Sequence, residues 1–194
     1  MTKKKLNFCF KGSRDYIHGT DIFNELKNCF NDSLNYENTM LDLSFHGIAK
    51  KKLDIVEDNA TDAKVVVKFY DTNDDKKTYY LVENKDDIVC RYDYAENKIV
   101  ELSKIDLDLG KINLNKDTSY SLIENIVALN KSLLENMFKE AFGKWYFTRL
   151  QLKKIPLNYY LIRLEFKSNF NFKLTKTEIF LDNESLGFIY FSLV

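Results

Sequence analysis

The chain is poor in the residues that interrupt or staple a fold. It has one proline, Pro156, and six glycines among 194 residues, so no Pro/Gly/Ser-rich linker marks a flexible boundary. Its three cysteines, Cys9, Cys29 and Cys90, lack CxxC spacing, and His18 and His46 are its only histidines. No zinc set can be assembled from these, and neither a metal nor another cofactor is implied. A sparse, odd cysteine count fits unpaired, buried thiols in a reducing compartment, which makes the cytoplasm the expected location. Charge breaks the apolar residues every few positions, so neither a membrane span nor a signal sequence is expected. Lys+Arg and Asp+Glu are equal at 29 each, which leaves no net field to attract nucleic acid or an anionic membrane surface. The Lys3-Lys4-Lys5 run reads as a solvated tail.

What is present is the ordinary balance of a folded protein, 45% hydrophobic and 30% charged. Ile22, Phe23, Leu26, Cys29 and Phe30 recur at helical spacing and predict a first amphipathic helix. Ile123, Ile126, Val127, Leu133, Leu134, Met137, Phe138 and Ala141 predict a longer one over about 120–142, with Asp117 or Thr118 as N-cap and Gly143 as C-cap.

Each helix is followed by four segments of strand character. They are 40–48, 64–70, 78–82 and 87–94 after the first, then 145–152, 159–166, 173–181 and 188–193 after the second. Polar breaks at 71–75, 84–86, 168–169 and 182–184 are too short for parallel crossovers, so the sheets are expected to be mainly antiparallel. Residues 6–10 and 111–114 can each serve as an opening strand. The class is α+β, with one unit written twice: strand, helix, four strands. Setting Tyr16 opposite Tyr120 aligns Ile22 with Ile126, Phe23 with Val127 and Leu26 with Asn130.

A long helix across a curved antiparallel sheet resembles the hot-dog arrangement, here as a tandem, double hot-dog. The expected modules are 1–110 and 111–194, together one compact pseudo-dimeric unit. The ending Leu174-Thr175-Lys176-Thr177-Glu178-Ile179-Phe180-Leu181-Asp182, then Leu186-Gly187-Phe188-Ile189-Tyr190-Phe191-Ser192, is similar to the last hairpin of acyl-carrier-protein dehydratases and acyl-thioesterases of that superfamily. The resemblance implies acyl-CoA or an acyl carrier protein as partner. Further association into a homo-oligomer is compatible with it.

Chemistry concentrates in Gly12-Ser13-Arg14-Asp15-Tyr16-Ile17-His18-Gly19-Thr20-Asp21, where four ionisable residues and two glycines precede and enter the first helix. His18 and Asp21 are the candidate bases. Gly19 would let a ligand reach the amides of the helix start, and Arg14 is a second candidate for substrate binding. The structural alternative is that Asp15, Thr20 or Asp21 caps the helix while Arg14 pairs with one of those acids. Asn130 interrupts the apolar stripe of the second helix and needs a hydrogen-bonding partner, either a ligand or a neighbouring element. Hot-dog sites take groups from both paired helices, so the resemblance implies one polar site where His18 and Asn130 meet, and a degenerate mirror site at Leu122 and Leu26. No His-Phe-Pro loop is present, and an amide stands at position 130 where the dehydratases need an acid, which disfavours dehydration. The expected function is hydrolysis of, or a related reaction on, an acyl thioester. The alternative is a non-catalytic acyl-binding or assembly protein that kept the fold. Asp42, Ser44 and His46 share a strand face, but side chains on one strand seldom converge as a triad must.

Overall fold

The computed structural model describes residues 4–31, 33–71 and 75–194. Ile22, Phe23 and Leu26 line one side of α1 (Gly19–Phe30) and are no more than 5% exposed. Burial of that stripe stabilises a helix that would be marginal in water by itself. A short α2 (Asn97–Glu101) precedes α3 (Leu122–Met137), whose residues from Asn125 to Asn130 are all buried.

Thirteen strands accompany them among the described residues. The first part of the chain supplies β1 (Lys4–Lys5), β2 (Phe10–Lys11), β3 (Met40–Phe45), β4 (Lys51–Val56), β5 (Val65–Tyr70), β6 (Lys76–Asp87), β7 (Arg91–Tyr92) and β8 (Lys104–Asp106). The second supplies β9 (Lys111–Leu114), β10 (Trp145–Leu152), β11 (Ile162–Phe170), β12 (Leu174–Leu181) and β13 (Glu184–Leu193). Eleven of them form one antiparallel sheet in the order β1-β4-β6-β5-β3-β10-β13-β12-β11-β9-β8, while β2 and β7 form a separate parallel pair. The result is a mixed fold of one large antiparallel sheet and few helices. The helix ends are pinned to the sheet by aromatic contacts. Phe30 of α1 meets Phe69 and Tyr79 at 5.2 and 4.6 Å, and Phe138 after α3 meets Phe166 and Trp145 at 5.5 and 6.2 Å.

The two parts of the chain join along β3 and β10. In that seam Leu43 faces Leu150 and Leu41 faces Leu152 on the inner side, each at most 4% exposed. On the outer side the Arg149 guanidinium donates to Asp42 Oδ1 at 2.9 Å and also to Oδ2, and Gln151 adds a third bond. Alternation with period two therefore gives the seam an apolar inside and a charge-paired outside. The parts also differ in wiring. Outward from the seam the first runs β3-β5-β6-β4-β1, and the second runs β10-β13-β12-β11-β9. The last three strands of the second part are thus a plain meander, whereas β6 separates β4 from β5 in the first.

Several expectations need correction. The thiols of Cys9 and Cys90 are joined in a disulfide, their Cα atoms 4.8 Å apart, and Cys29 takes no part in it. Local spacing could not find this pair, because the pairing of β2 with β7 brings residues 81 positions apart side by side. The bond removes the ground on which a reducing compartment was expected. Strand β4 was not expected because Lys51, Lys52 and Asp54 break its alternation; Asp54 is nevertheless buried and accepts a bond from Asn84 at 2.7 Å. The break expected at 84–86 lies inside β6, and of the strand expected over 87–94 only Asp87 at the end of β6 and the two residues of β7 are strand. The turn residues 72–74 and Lys3 lie outside the described residues; Lys4 and Lys5 pair with β4. Helix α3 begins after Ser121 rather than Asp117 or Thr118, and its C-cap is Phe138, five residues before the expected Gly143. No helix among the described residues is long and apolar enough to cross a membrane.

Candidate functional site

At one end of the β3–β10 seam lies a cavity of about 280 Å³. The first part of the chain lines it with Arg14, His18, Gly19, Phe45 and Glu96, and the second with Val127, Lys131, Lys144, Trp145 and Phe147. Phe45 and Phe147 meet across the seam at 4.8 Å. A register shift on β10 between Phe147 and Arg149 places a bulge beside them, a device that re-aims side chains next to sites.

Gly19 opens α1, and a Cβ there would stand 2.8 Å from Phe147 Cδ1 and 3.0 Å from Phe45 Cζ. Only glycine lets the helix start approach these rings so closely. His18 occupies the N-cap position with extended backbone, and no side chain caps the helix. The N–H of Asp21 is the first to bond within the turn, to the His18 carbonyl at 3.0 Å. The amides of Gly19 and Thr20 therefore precede the helical bonding pattern at the positive end of the dipole.

His18 is 8% exposed and its Nδ1 lies 2.7 Å from Thr20 Oγ1. Burial first, then the charges of Arg14, Lys11, Lys131 and Lys144, hold its pKa well below the usual 6.5, so the imidazole is neutral at neutral pH. Three cationic side chains and one acidic side chain line the cavity. Glu96 accepts from Arg14 at 3.1 Å and from Lys131 at 3.3 Å, and Lys144 lies over the rings of Tyr16 and Tyr146 at 4.9 and 5.2 Å. An anionic group at this mouth would meet a local excess of positive charge.

Asp21 does not line the cavity. Its Oδ1 accepts from Lys11 Nζ at 3.1 Å and from the Tyr92 hydroxyl at 2.8 Å. Lys11 is fully buried and also contacts Glu124 Oε1 of α3, with the Tyr94 ring 4.1 Å from its Nζ. Arg14 pairs with Glu96 rather than with an acid of its own segment, and Asp15 with Lys50 at 2.8 Å. Asn130 is fully buried between cavity-lining Val127 and Lys131 in sequence, yet neither of its amide atoms meets a hydrogen-bonding partner and it does not itself line the cavity. The structure thus gathers His18, Gly19 and Arg14 at one cavity and leaves Asp21 and Asn130 outside it. Ser44 is 3.5 Å from Asp42, whose carboxylate Arg149 occupies, and His46 is exposed beyond the strand.

Sequence reasoning missed Lys11, Glu96, Lys131 and Lys144, and read Thr20 only as a candidate cap. Of these only Lys131 left a signal, as a cation at the edge of the apolar stripe of α3. Among the described residues no group of three or more His, Cys, Asp or Glu side chains is placed to hold a metal.

No sequence family and no curated protein matches this chain. Solved structures do. The dehydratase domain of PpsC from Mycobacterium tuberculosis, determined in complex with C12:1-CoA, has TM-score 0.51 and 8% identity, covering 99% of this chain and 92% of that one. The pyran synthase domain from module nine of the sorangicin pathway has TM-score 0.52 and 7% identity, covering 100% and 95%. An acyl-ACP thioesterase from Bacteroides thetaiotaomicron matches at TM-score 0.45 and 11% identity, over 98% and 97%. At such identities the likeness is one of fold. In fold the chain resembles these hot-dog dehydratase and pyran synthase domains, and the large antiparallel sheet with its few helices agrees with that fold.

Proposed function

We propose that this chain is a double hot-dog protein, modules 1–110 and 111–194, that hydrolyses an acyl thioester of CoA or an acyl carrier protein at a single site between the modules. The observation that carries this reading is the placement of a buried His18 at an uncapped helix start lining a largely apolar cavity. The fold is shared with a dehydratase domain that was determined with C12:1-CoA. Fold alone does not assign chemistry, so the residues must.

The chemistry follows from their types. His18 takes a proton from water as the water oxygen attacks the thioester carbonyl carbon. The tetrahedral oxyanion is stabilised by the Gly19 amide at the positive end of α1. Collapse breaks the carbon–sulfur bond, and the departing thiolate takes the proton from the His18 imidazolium, leaving a carboxylic acid and a thiol. Arg14, Lys131 and Lys144 suit the phosphate groups of the carrier. The cavity of about 280 Å³ is at the small end of ligand pockets, about 300–1,000 Å³, which favours a short acyl chain. Asp21 and Asn130 are assigned no contact with substrate.

The test is hydrolysis of acyl-CoA esters from short to long by the wild type and by His18→Ala, with folding checked by circular dichroism. His18→Ala is expected to lower kcat/KM by roughly 10²–10⁴-fold. The folded-state pKa of His18 is depressed, so the base is already unprotonated above pH 6.5, and kcat/KM should hold as pH falls past 6.5 and drop only well below it. Undiminished turnover in folded His18→Ala overturns the assignment. Binding of acyl-CoA with no turnover in the wild type would move the protein to the acyl-binding alternative.

A further inference from the structure

Thr20 Oγ1 has one proton to give and two lone pairs to fill. Three polar groups surround it: Lys11 Nζ at 3.0 Å, Asp21 Oδ1 at 3.3 Å and His18 Nδ1 at 2.7 Å. The Lys11 ammonium only donates, and its three protons face three oxygens, those of Thr20, Asp21 and Glu124. The Asp21 carboxylate only accepts, taking a further proton from the Tyr92 hydroxyl. Burial first, then the bond to Asp21, pushes the Tyr92 pKa far upward, so that proton stays on the phenol.

His18 is the one member that can act either way. If Thr20 gives its proton to Asp21, its free lone pair accepts Nδ1–H from His18 and each of the three contacts carries a proton. If Thr20 gave its proton to His18 instead, its unfilled lone pair would face the Asp21 carboxylate with no proton between them. Thr20 and Lys11 are both fully buried, where such an oxygen–oxygen contact is costly. In a neutral imidazole the hydrogen bond made by one nitrogen decides which nitrogen holds the proton.

We infer that the Lys11–Thr20–Asp21 set fixes the tautomer of His18, with the proton on Nδ1 and Nε2 left bare to act as the base. Lys11, Thr20 and Asp21 are then positioning residues that act through His18. Their catalytic meaning rests on the reading above; the tautomer does not. Their arrangement also gives Asp21, identified from the sequence as a base, a different task one hydrogen bond further from the substrate.

Long-range proton–nitrogen NMR of the imidazoles in the uniformly ¹⁵N-labelled full chain tests this directly at neutral pH, with His46→Gln assigning the two histidines. The expected wild-type pattern has His18 Nε2 in the unprotonated, pyridine-like region and Nδ1 in the pyrrole-like region. Thr20→Val, near in shape but without the hydroxyl, should lose that pattern and lower kcat about tenfold or more with KM little changed; Thr20→Ser should restore both. A wild-type spectrum with Nδ1 bare overturns the inference without reference to any variant, and so does an unchanged pattern in folded Thr20→Val. A bare Nε2 in a protein that hydrolyses no acyl thioester keeps the inference and removes the reading of function. Turnover with Nδ1 bare does the reverse.

Discussion

The two long helices begin in opposite ways. At the start of α3, Glu124 reaches back to accept from the Ser121 N–H and hydroxyl, both at 2.8 Å, the acid half of a capping box, and Ile123 just after it is buried. At the start of α1 the N-cap His18 makes no side-chain capping bond, and Gly19 stands at the first helical position, where α3 has Leu122. A helix end that satisfies its own amides is structural. One that leaves early amides uncapped and opens on glycine where the other opens on leucine keeps room for something else. Both ends share Lys11, which bonds Asp21 of α1 and Glu124 of α3, so the difference lies in the residues and not in the burial of the region.

That shared lysine offers the strongest way to break the comparison. Lys11→Met fills a similar volume but leaves two carboxylates, each 13% exposed, facing each other without a cation. Removing one member of a buried ionic set costs about 3–5 kcal/mol, and urea unfolding should register a loss of that size. A much smaller loss would mean that the two helix starts are held together by packing alone.

A change of opposite sign is expected at the middle of α3. Asn130 aligns with Leu26, which is 2% exposed in the core, while both amide atoms of Asn130 lie unpaired. Burial without a partner costs about 1–3 kcal/mol. Asn130→Leu, which makes α3 like α1 here, should raise stability by about that amount in urea unfolding. A loss instead would show that the amide is satisfied in solution and restore Asn130 as a group with a task.

The parts of the site that were legible in the sequence were contiguous in the chain. Arg14, His18 and Gly19 lie within six residues, and composition alone drew attention to them. Glu96, Lys131, Lys144 and Trp145 reach the same cavity only because β3 pairs with β10 and α3 lies against α1, and such long-range pairings leave no local trace. Helical periodicity found both long helices because one buried stripe is enough to announce them, and it placed their ends poorly because caps depend on single side chains. The motif Ser121-Leu122-Ile123-Glu124 could have been read as a capping box, and the expected N-cap at Asp117 or Thr118 overlooked it. Lys11 could not have been foreseen: a lysine after an apolar strand reads as solvated, and its burial follows from two carboxylates and two tyrosines supplied by three other segments.

The smallest expected effect sharpens the contrast between the helix starts most cleanly. Ser121→Ala removes the hydroxyl that donates to Glu124 and accepts from Asn24 at 3.0 Å, but leaves the Lys11–Glu124 pair and every cavity-lining residue in place. Loss of such a cap costs about 1 kcal/mol. The urea midpoint should therefore fall modestly while acyl-thioester turnover stays at the wild-type level. His18→Ala should behave the other way, costing turnover far more than its lost packing costs stability, because the His18 side chain caps nothing. If Ser121→Ala also abolished turnover, the start of α3 would belong to the site, and the division between a structural helix end and a chemical one would fail.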